Sequence, residues 1–168
     1  MEKKVCIIGA GSSGIAAAKT FFQSNIPFDC FEKGSKIGGN WLYGNDNGMS
    51  SSYYSLHINT SKQMMAFSDF PMPDSYPDYP NHELVFQYFE AYMDKFGFRN
   101  KISFNTTVER VEKIDENKYV VYTNKFPPKE YTDVIVANGH HWSPKWATFD
   151  GEFSGKISHS HYYKTYSG

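Results

Sequence analysis

Cysteine is scarce in this sequence: it occurs only as Cys6 and Cys30, each inside an apolar run, VCIIG and FDCFE. No disulfide framework can be drawn from them, and a reducing, cytoplasmic setting is expected. Charge of one sign is lacking too, since 17 Lys and Arg stand against 18 Asp and Glu for a net −1. That balance offers no electrostatic footprint for a nucleic acid or an anionic membrane surface, so neither is expected as a partner. Long hydrophobic runs are missing, with no window approaching the ~20 apolar residues of a membrane-spanning helix. The start, MEKKVCIIGAGSSG, is charged, but its short apolar run enters a glycine-rich turn. It reads as a strand, not a secretory signal.

Aromatic residues are abundant, at 18% with 13 Tyr and 14 Phe. Bulky rings filling a core are the plainer reading, and contact with a flat, conjugated ligand is the alternative. A length of 168 residues with 40% hydrophobic and 21% charged residues fits one folded domain.

Residues 4–8 predict a buried strand, residues 12–24 an alanine-rich helix and residues 27–31 a second strand, a βαβ beginning. Residues 34–48 are dense in Gly, Asn and Ser and read as a long loop, and SSYYSLHINTSKQMMAFSDF shows no clean period. The prolines of FPMPDSYPDYPNH impose extended loop. A helix follows, N-capped by Asn81, with an apolar stripe of Leu84, Val85, Tyr88, Phe89, Tyr92, Met93 and Phe96 before Gly97 stops it. Short strands at 102–104, 107–113 and 118–123 suggest a small antiparallel meander over about 102–123. TDVIVANG then reads as a parallel strand delivering a loop at Gly139 to a ligand.

The segment Gly9-Ala10-Gly11-Ser12-Ser13-Gly14 matches G-x-G-x-x-G between a strand and a helix. Its first glycine permits the tight turn, its second lets the backbone approach a pyrophosphate, and its third lets helix pack on strand. The helix N-terminus supplies free amide donors to the phosphates. Glu32 ends the second strand, 18 residues beyond Gly14, where a carboxylate can accept from ribose hydroxyls. A second glycine pair, Gly38-Gly39, follows closely, an arrangement similar to that of two-dinucleotide-binding flavoproteins, which favours FAD. Disulfide reductases of that kind place redox cysteines next, whereas this chain has Asn40-Trp41 and no cysteine after Cys30. Dithiol chemistry is thereby excluded.

Here the resemblance becomes specific. FEKGSKIGGNW, YSLHINTSKQMMAFSDFP, VIVANGHHWSPKW and FSGKISHSHYY follow one another as the successive blocks of a flavin-containing monooxygenase do. The last resembles that family's motif F-x-G-x-x-x-H-x-x-x-Y, met by Phe153, Gly155, His159 and Tyr163, with Tyr163-Lys164 unlike the ending of the related Baeyer-Villiger enzymes. The resemblance implies an α/β, Rossmann-like FAD/NAD(P)-binding three-layer domain with a parallel sheet beside the small meander.

It also implies roles by position. Gly9, Gly11, Ser12, Ser13 and Gly14 with Glu32 and Lys33 would hold the ADP half of FAD. Asn40 and Trp41 would lie by the cofactor, Val108 would touch adenine through its backbone, and Gly139 would pass close to the cofactor. Asn59, flanked by Thr60, resembles the family asparagine beside the reactive flavin carbon. An amide there can donate without being a strong acid, although an Asn bonding its own loop is the plain alternative.

In that family NADPH reduces FAD, the flavin takes up dioxygen to give a C4a-hydroperoxyflavin, and oxygen passes to an amine nitrogen or sulfide sulfur. The resemblance implies these cofactors and small-molecule partners. It places most of the NADPH site in a domain with its own glycine fingerprint, which does not occur in these residues. Residues 151–168 are expected to be the junction toward it. The chain would then be part of a longer enzyme, half of an enzyme completed by another chain, or a truncated flavoprotein acting as a nucleotide-binding or interaction module, with a simple nicotinamide-binding module as a fourth reading; a homo-oligomer is compatible with each. His159 and His161 would share one side of a strand, a metal site in principle with His140 or His141. No cysteine or convergent carboxylate accompanies them, so no metal is expected.

Overall fold

The computed structural model describes residues 2–166. The last two residues of the expected junction, 167 and 168, lie outside the described residues. The chain begins β1 (Val5–Ile8), α1 (Ser12–Gln23) and β2 (Phe28–Phe31), continues through α2 (Lys62–Met65) and α3 (His82–Phe96), and ends with β3 (Ile102–Ser103), β4 (Val108–Asp115), β5 (Lys118–Thr123), β6 (Lys129–Tyr131) and β7 (Asp133–Val136).

Alternation along β1 explains the layering. Val5 and Ile7 point into a core shared with Ile15 and Ala18 of α1 and Val85, Phe89 and Met93 of α3. Cys6 points the other way, joining Phe31, Val121 and Tyr131. A strand apolar on both faces must be covered on both. The parallel sheet, ordered β3-β2-β1-β7, therefore lies between a helical layer and the antiparallel sheet β4-β5-β6. This is the three-layer α/β arrangement expected.

Two boundaries differ from the sequence reading. Ile102–Ser103 is not a meander strand: Cys30 and Phe31 of β2 pair with it in parallel. The meander instead gains β6, whose Tyr131 pairs with Tyr119. Buried Ile102 belongs with the helical-layer core, which draws its strand to the parallel edge.

Most rings are core. Tyr88, Phe89, Tyr92 and Phe98 are at most 2% exposed, and Phe67 and Phe70, flanking a turn after α2, pack on Tyr88 and Tyr92. The Tyr88 hydroxyl accepts from the Phe67 amide at 2.7 Å and donates to the Phe70 carbonyl at 2.5 Å. Asn81 caps α3 by accepting from the Leu84 amide, and Gly97 ends it at φ +72°.

Asp29 bolts two layers together. Its Oδ2 accepts from the Tyr131 hydroxyl at 2.7 Å and faces Lys4 Nζ at 2.9 Å and Lys129 Nζ at 3.5 Å. Burial alone would raise this carboxyl's pKa, but the hydrogen bonds from Lys4 and Tyr131 and the charges of Lys4 and Lys129 outweigh it and hold it below its ordinary value. A carboxyl lowered on folding contributes stability that is present above its unfolded pKa of ~3.9 and lost as pH falls through the folded value. D29N should therefore cost about 1.5–3 kcal/mol at neutral pH, the scale of a hydrogen bond to a charged group. Urea titrations should show that difference shrinking once the pH is taken below ~4. A gap that persists undiminished in acid would mean the charge of Asp29 contributes nothing.

Candidate cofactor site

The first glycine of the fingerprint sits where β1 meets β7. Gly9 has φ +98°, and a Cβ there would lie 2.6 Å from the Ala137 carbonyl oxygen, so both backbone conformation and space require glycine. Its amide donates to the Phe31 carbonyl at 2.8 Å, which ties the loop to β2. Gly14 is tighter still, with a Cβ falling 1.9 Å from the Gly9 carbonyl oxygen. Together they let α1 start directly above β1.

Helix α1 is preceded by Gly11, and no side chain caps it. Its first-turn amides, those of Ser12, Ser13 and Gly14, are available to an anion. Facing Gly11 is the second glycine pair. A Cβ on Gly39 would stand 3.0 Å from the Gly11 Cα, and the Gly38 amide donates to the Ala10 carbonyl at 3.0 Å. The glycine loops interlock backbone to backbone, leaving a cradle without side chains at an uncapped helix start. That is the shape a pyrophosphate requires, and the residues present fit a dinucleotide.

Glu32 is 4% exposed at the end of β2. Its Oε2 accepts from the Ala10 amide at 2.7 Å, and its Oε1 from the Gly34 amide at 2.8 Å and Asn47 Nδ2 at 3.4 Å. These donors hold an acceptor-only group directly beside the fingerprint loop. Lys33, next to it, is exposed.

Asn40 faces the loop that follows. Its Oδ1 accepts from the Ser51 amide and hydroxyl at 2.8 and 2.9 Å, and its carbonyl from the Ser50 hydroxyl at 2.8 Å. Trp41 is half-buried against the core. Buried Asn45 donates to the Gly39 carbonyl at 2.9 Å. Asn45, Asn47, Ser50 and Ser51 were not singled out by the sequence. Their signal was the Asn- and Ser-rich composition after Lys33, which marks side chains able to bond loop backbone.

The other expected site residues lie outside the two glycine loops. Asn59 and Thr60 are exposed between buried Ile58 and α2, and among the described residues no hydrogen bond links them to the glycine loops. Val108 opens β4, half-buried against the cluster of Cys6, Phe31, Val121 and Tyr131. Gly139, just past β7, adopts φ +73° with nothing within 4 Å of its Cβ position. Backbone conformation requires that glycine, and the space beside it is open.

The thiols do not compete for a chemical role. Both are buried, on opposite faces of the sheet, and burial pushes Cys6 up to about 12 and raises Cys30 as well. The histidines of the final segment are not on a strand. His159 precedes a 3-10 turn (Ser160–Tyr162), its Nδ1 accepts from the His161 amide at 3.1 Å, and His161 turns inward, its Nδ1 2.8 Å from the His141 carbonyl. A shared strand face is thus corrected to a local turn.

Comparison with known proteins agrees with this geometry. A sequence model described as "FMO-like: Flavin-binding monooxygenase-like" matches residues 2–168. The chain belongs to that family. Similar proteins include flavin-containing monooxygenase 5 of Rattus norvegicus, 36% identical over 97% of this chain and 33% of its own length. Dimethylaniline monooxygenase (N-oxide-forming) 2 of the same organism is 36% identical over 98% of this chain and 33% of its own. The solved structure of S-allyl-L-cysteine S-oxygenase from Allium sativum superposes at TM-score 0.87 with 30% identity, over 96% of this chain and 42% of that one. This flavin-binding monooxygenase-like chain thus spans about a third of the length of the curated relatives it matches. Among the described residues no helix is long and apolar enough to cross a membrane.

Proposed function

We propose that this chain is the FAD-binding part of an NADPH-dependent flavin monooxygenase that oxygenates an amine nitrogen or a sulfide sulfur with dioxygen. The observation that carries the reading is the interlock of Gly11 with Gly39 at an uncapped helix start, with Glu32 buried beside it. In this reading Gly9, Gly11, Ser12, Ser13 and Gly14 receive the pyrophosphate, and Glu32 with Lys33 lies at the ribose. Asn40 and Trp41 lie by the cofactor, the Val108 backbone meets adenine, and Gly139 passes close to the cofactor. Asn59 is the catalytic candidate, an amide that donates at the reacting edge without acting as an acid, with Thr60 flanking it. FAD, when bound, supplies the redox chemistry between NADPH and dioxygen. The protein's own part is to bind, orient and keep water out. A cytoplasmic setting belongs to the same reading, on the strength of two free buried thiols.

A second reading is favoured by one observation. Phe149 is 88% exposed, Phe153 69% and Ile157 66%, around an open cavity of about 520 Å³ that Trp146 also lines. Such an apolar surface suits a module that becomes active only when further protein, in the same chain or another, covers it.

The visible absorption spectrum of the purified chain, before and after NADPH without oxygen, tests both. A yellow flavin spectrum that NADPH leaves unbleached is expected. A colourless protein that FAD cannot reconstitute would sink the flavin reading, and one that is colourless yet binds NADPH would be a nicotinamide-binding module.

A further inference from the structure

Near the end of the described residues, the Lys164 ammonium is fastened to the loop that follows Asn40. Lys164 Nζ donates to the Ser50 carbonyl at 2.6 Å and to the Ser52 carbonyl at 3.1 Å. Its own carbonyl accepts from the Tyr54 amide at 2.8 Å, and the neighbouring Tyr163 ring packs on Tyr53 at 5.8 Å. From there the contacts run inward. The Ser50 hydroxyl bonds the Asn40 carbonyl, the Ser51 amide and hydroxyl bond Asn40 Oδ1, and Asn40 follows directly on Gly39, which lies against Gly11.

Loop carbonyls turned toward the interior need donors, and Ser50 and Ser52 are 8% and 1% exposed. Burial lowers the pKa of this lysine, a cost to its charge that the two carbonyl acceptors offset. Its two backbone acceptors belong to alternate residues of one loop, so the ammonium sets the spacing of residues 50 and 52 as a clamp would.

We propose that Lys164 is a positioning residue whose ammonium clamps residues 50–54 and thereby holds Asn40 and the second glycine pair in the geometry the cofactor meets. What the positioned loop holds rests on the FAD reading. The clamp itself does not.

The test replaces the charge and then restores it. K164M and K164C should speed hydrogen exchange at the amides of Ser51, Ser52 and Gly38 by at least about tenfold, the loss expected with charge-assisted hydrogen bonds. Strand amides such as that of Ile7 should keep their protection. Flavin titration should show FAD affinity falling by about the same factor. Treating K164C with 2-bromoethylamine lets the new thiolate displace bromide and rebuilds an ammonium side chain with sulfur in place of one methylene. Cys6 and Cys30, both 0% exposed, should stay unmodified. Restored exchange protection and FAD affinity, with K164M still loosened, would support the clamp, because Met keeps an apolar stem of similar bulk and lacks only the ammonium.

Unchanged exchange in K164M, or loss of protection spread evenly over the sheet, would overturn it. Loosened loop amides with undiminished FAD affinity would overturn the link to the cofactor. Should the unsubstituted chain bind no FAD, the proposed function fails, while the exchange rescue still decides the role of Lys164.

Discussion

Alanine at Gly14 should cost about 3 kcal/mol or more of stability and leave the purified protein without flavin. The new Cβ would lie 1.9 Å from the Gly9 carbonyl oxygen and 2.8 Å from its carbon. Both are backbone atoms, so no rotamer change relieves the clash. Either α1 moves off β1 or Gly9 shifts toward Ala137, whose carbonyl already excludes a side chain there. Each movement redirects the first-turn amides, so stability and anion binding are lost together. Gly44 provides the contrast. At φ +67° with open space around it, its change to alanine should cost only the ~1–2 kcal/mol of a left-handed backbone and keep the flavin. Urea denaturation and the flavin-to-protein absorbance ratio measure both variants. A G14A protein of normal stability and colour would mean that α1 and β1 are not packed at this distance.

Removing the Glu32 carboxylate should have the second largest effect. E32A leaves the Ala10 and Gly34 amides buried without an acceptor, at about 1–3 kcal/mol for each unsatisfied group. A loss of roughly 2–6 kcal/mol is expected, together with loss of FAD. E32Q should fall between, because its amide presents one oxygen and one donor to two donors. Comparing the two variants separates the carboxylate's roles. If E32Q is nearly as stable as the original protein but binds FAD much more weakly, the lost acceptor matters chiefly to ribose. If stability and affinity fall in step, holding the loop is the dominant role, and an unchanged denaturation midpoint for E32A would refute that role.

How much was legible in the sequence follows from the range of each interaction. The βαβ beginning and the helix from Asn81 to Gly97 could be read because their determinants lie within a turn or two of chain: a cap, a period of 3.6, a glycine stop. The expected meander starts too early in the chain because Ile102–Ser103 is too short to carry a pattern, and its partner, β2, lies some 70 residues earlier. Lys129–Tyr131 is not legible as a strand because KEY has no strand pattern of its own, and the Tyr119 register and the Tyr131–Asp29 hydrogen bond hold it in place. The closing histidines read as a strand face by alternation, whereas a bond from the His161 amide to His159 curls them into a turn.

The sequence by itself determined the G-x-G-x-x-G segment between strand and helix, the glutamate that ends β2, the second glycine pair and the family blocks in order, because glycine spacing and strand-helix rhythm are properties of the local backbone. Only the tertiary structure decided that Gly39 backs onto Gly11, that Glu32 is held by the amides it helps to position, and that Lys164 reaches the loop bonded to Asn40. The physical reason is that a buried carbonyl, amide or carboxylate must find its partner wherever the packed chain places one, and sequence distance sets no limit on that search.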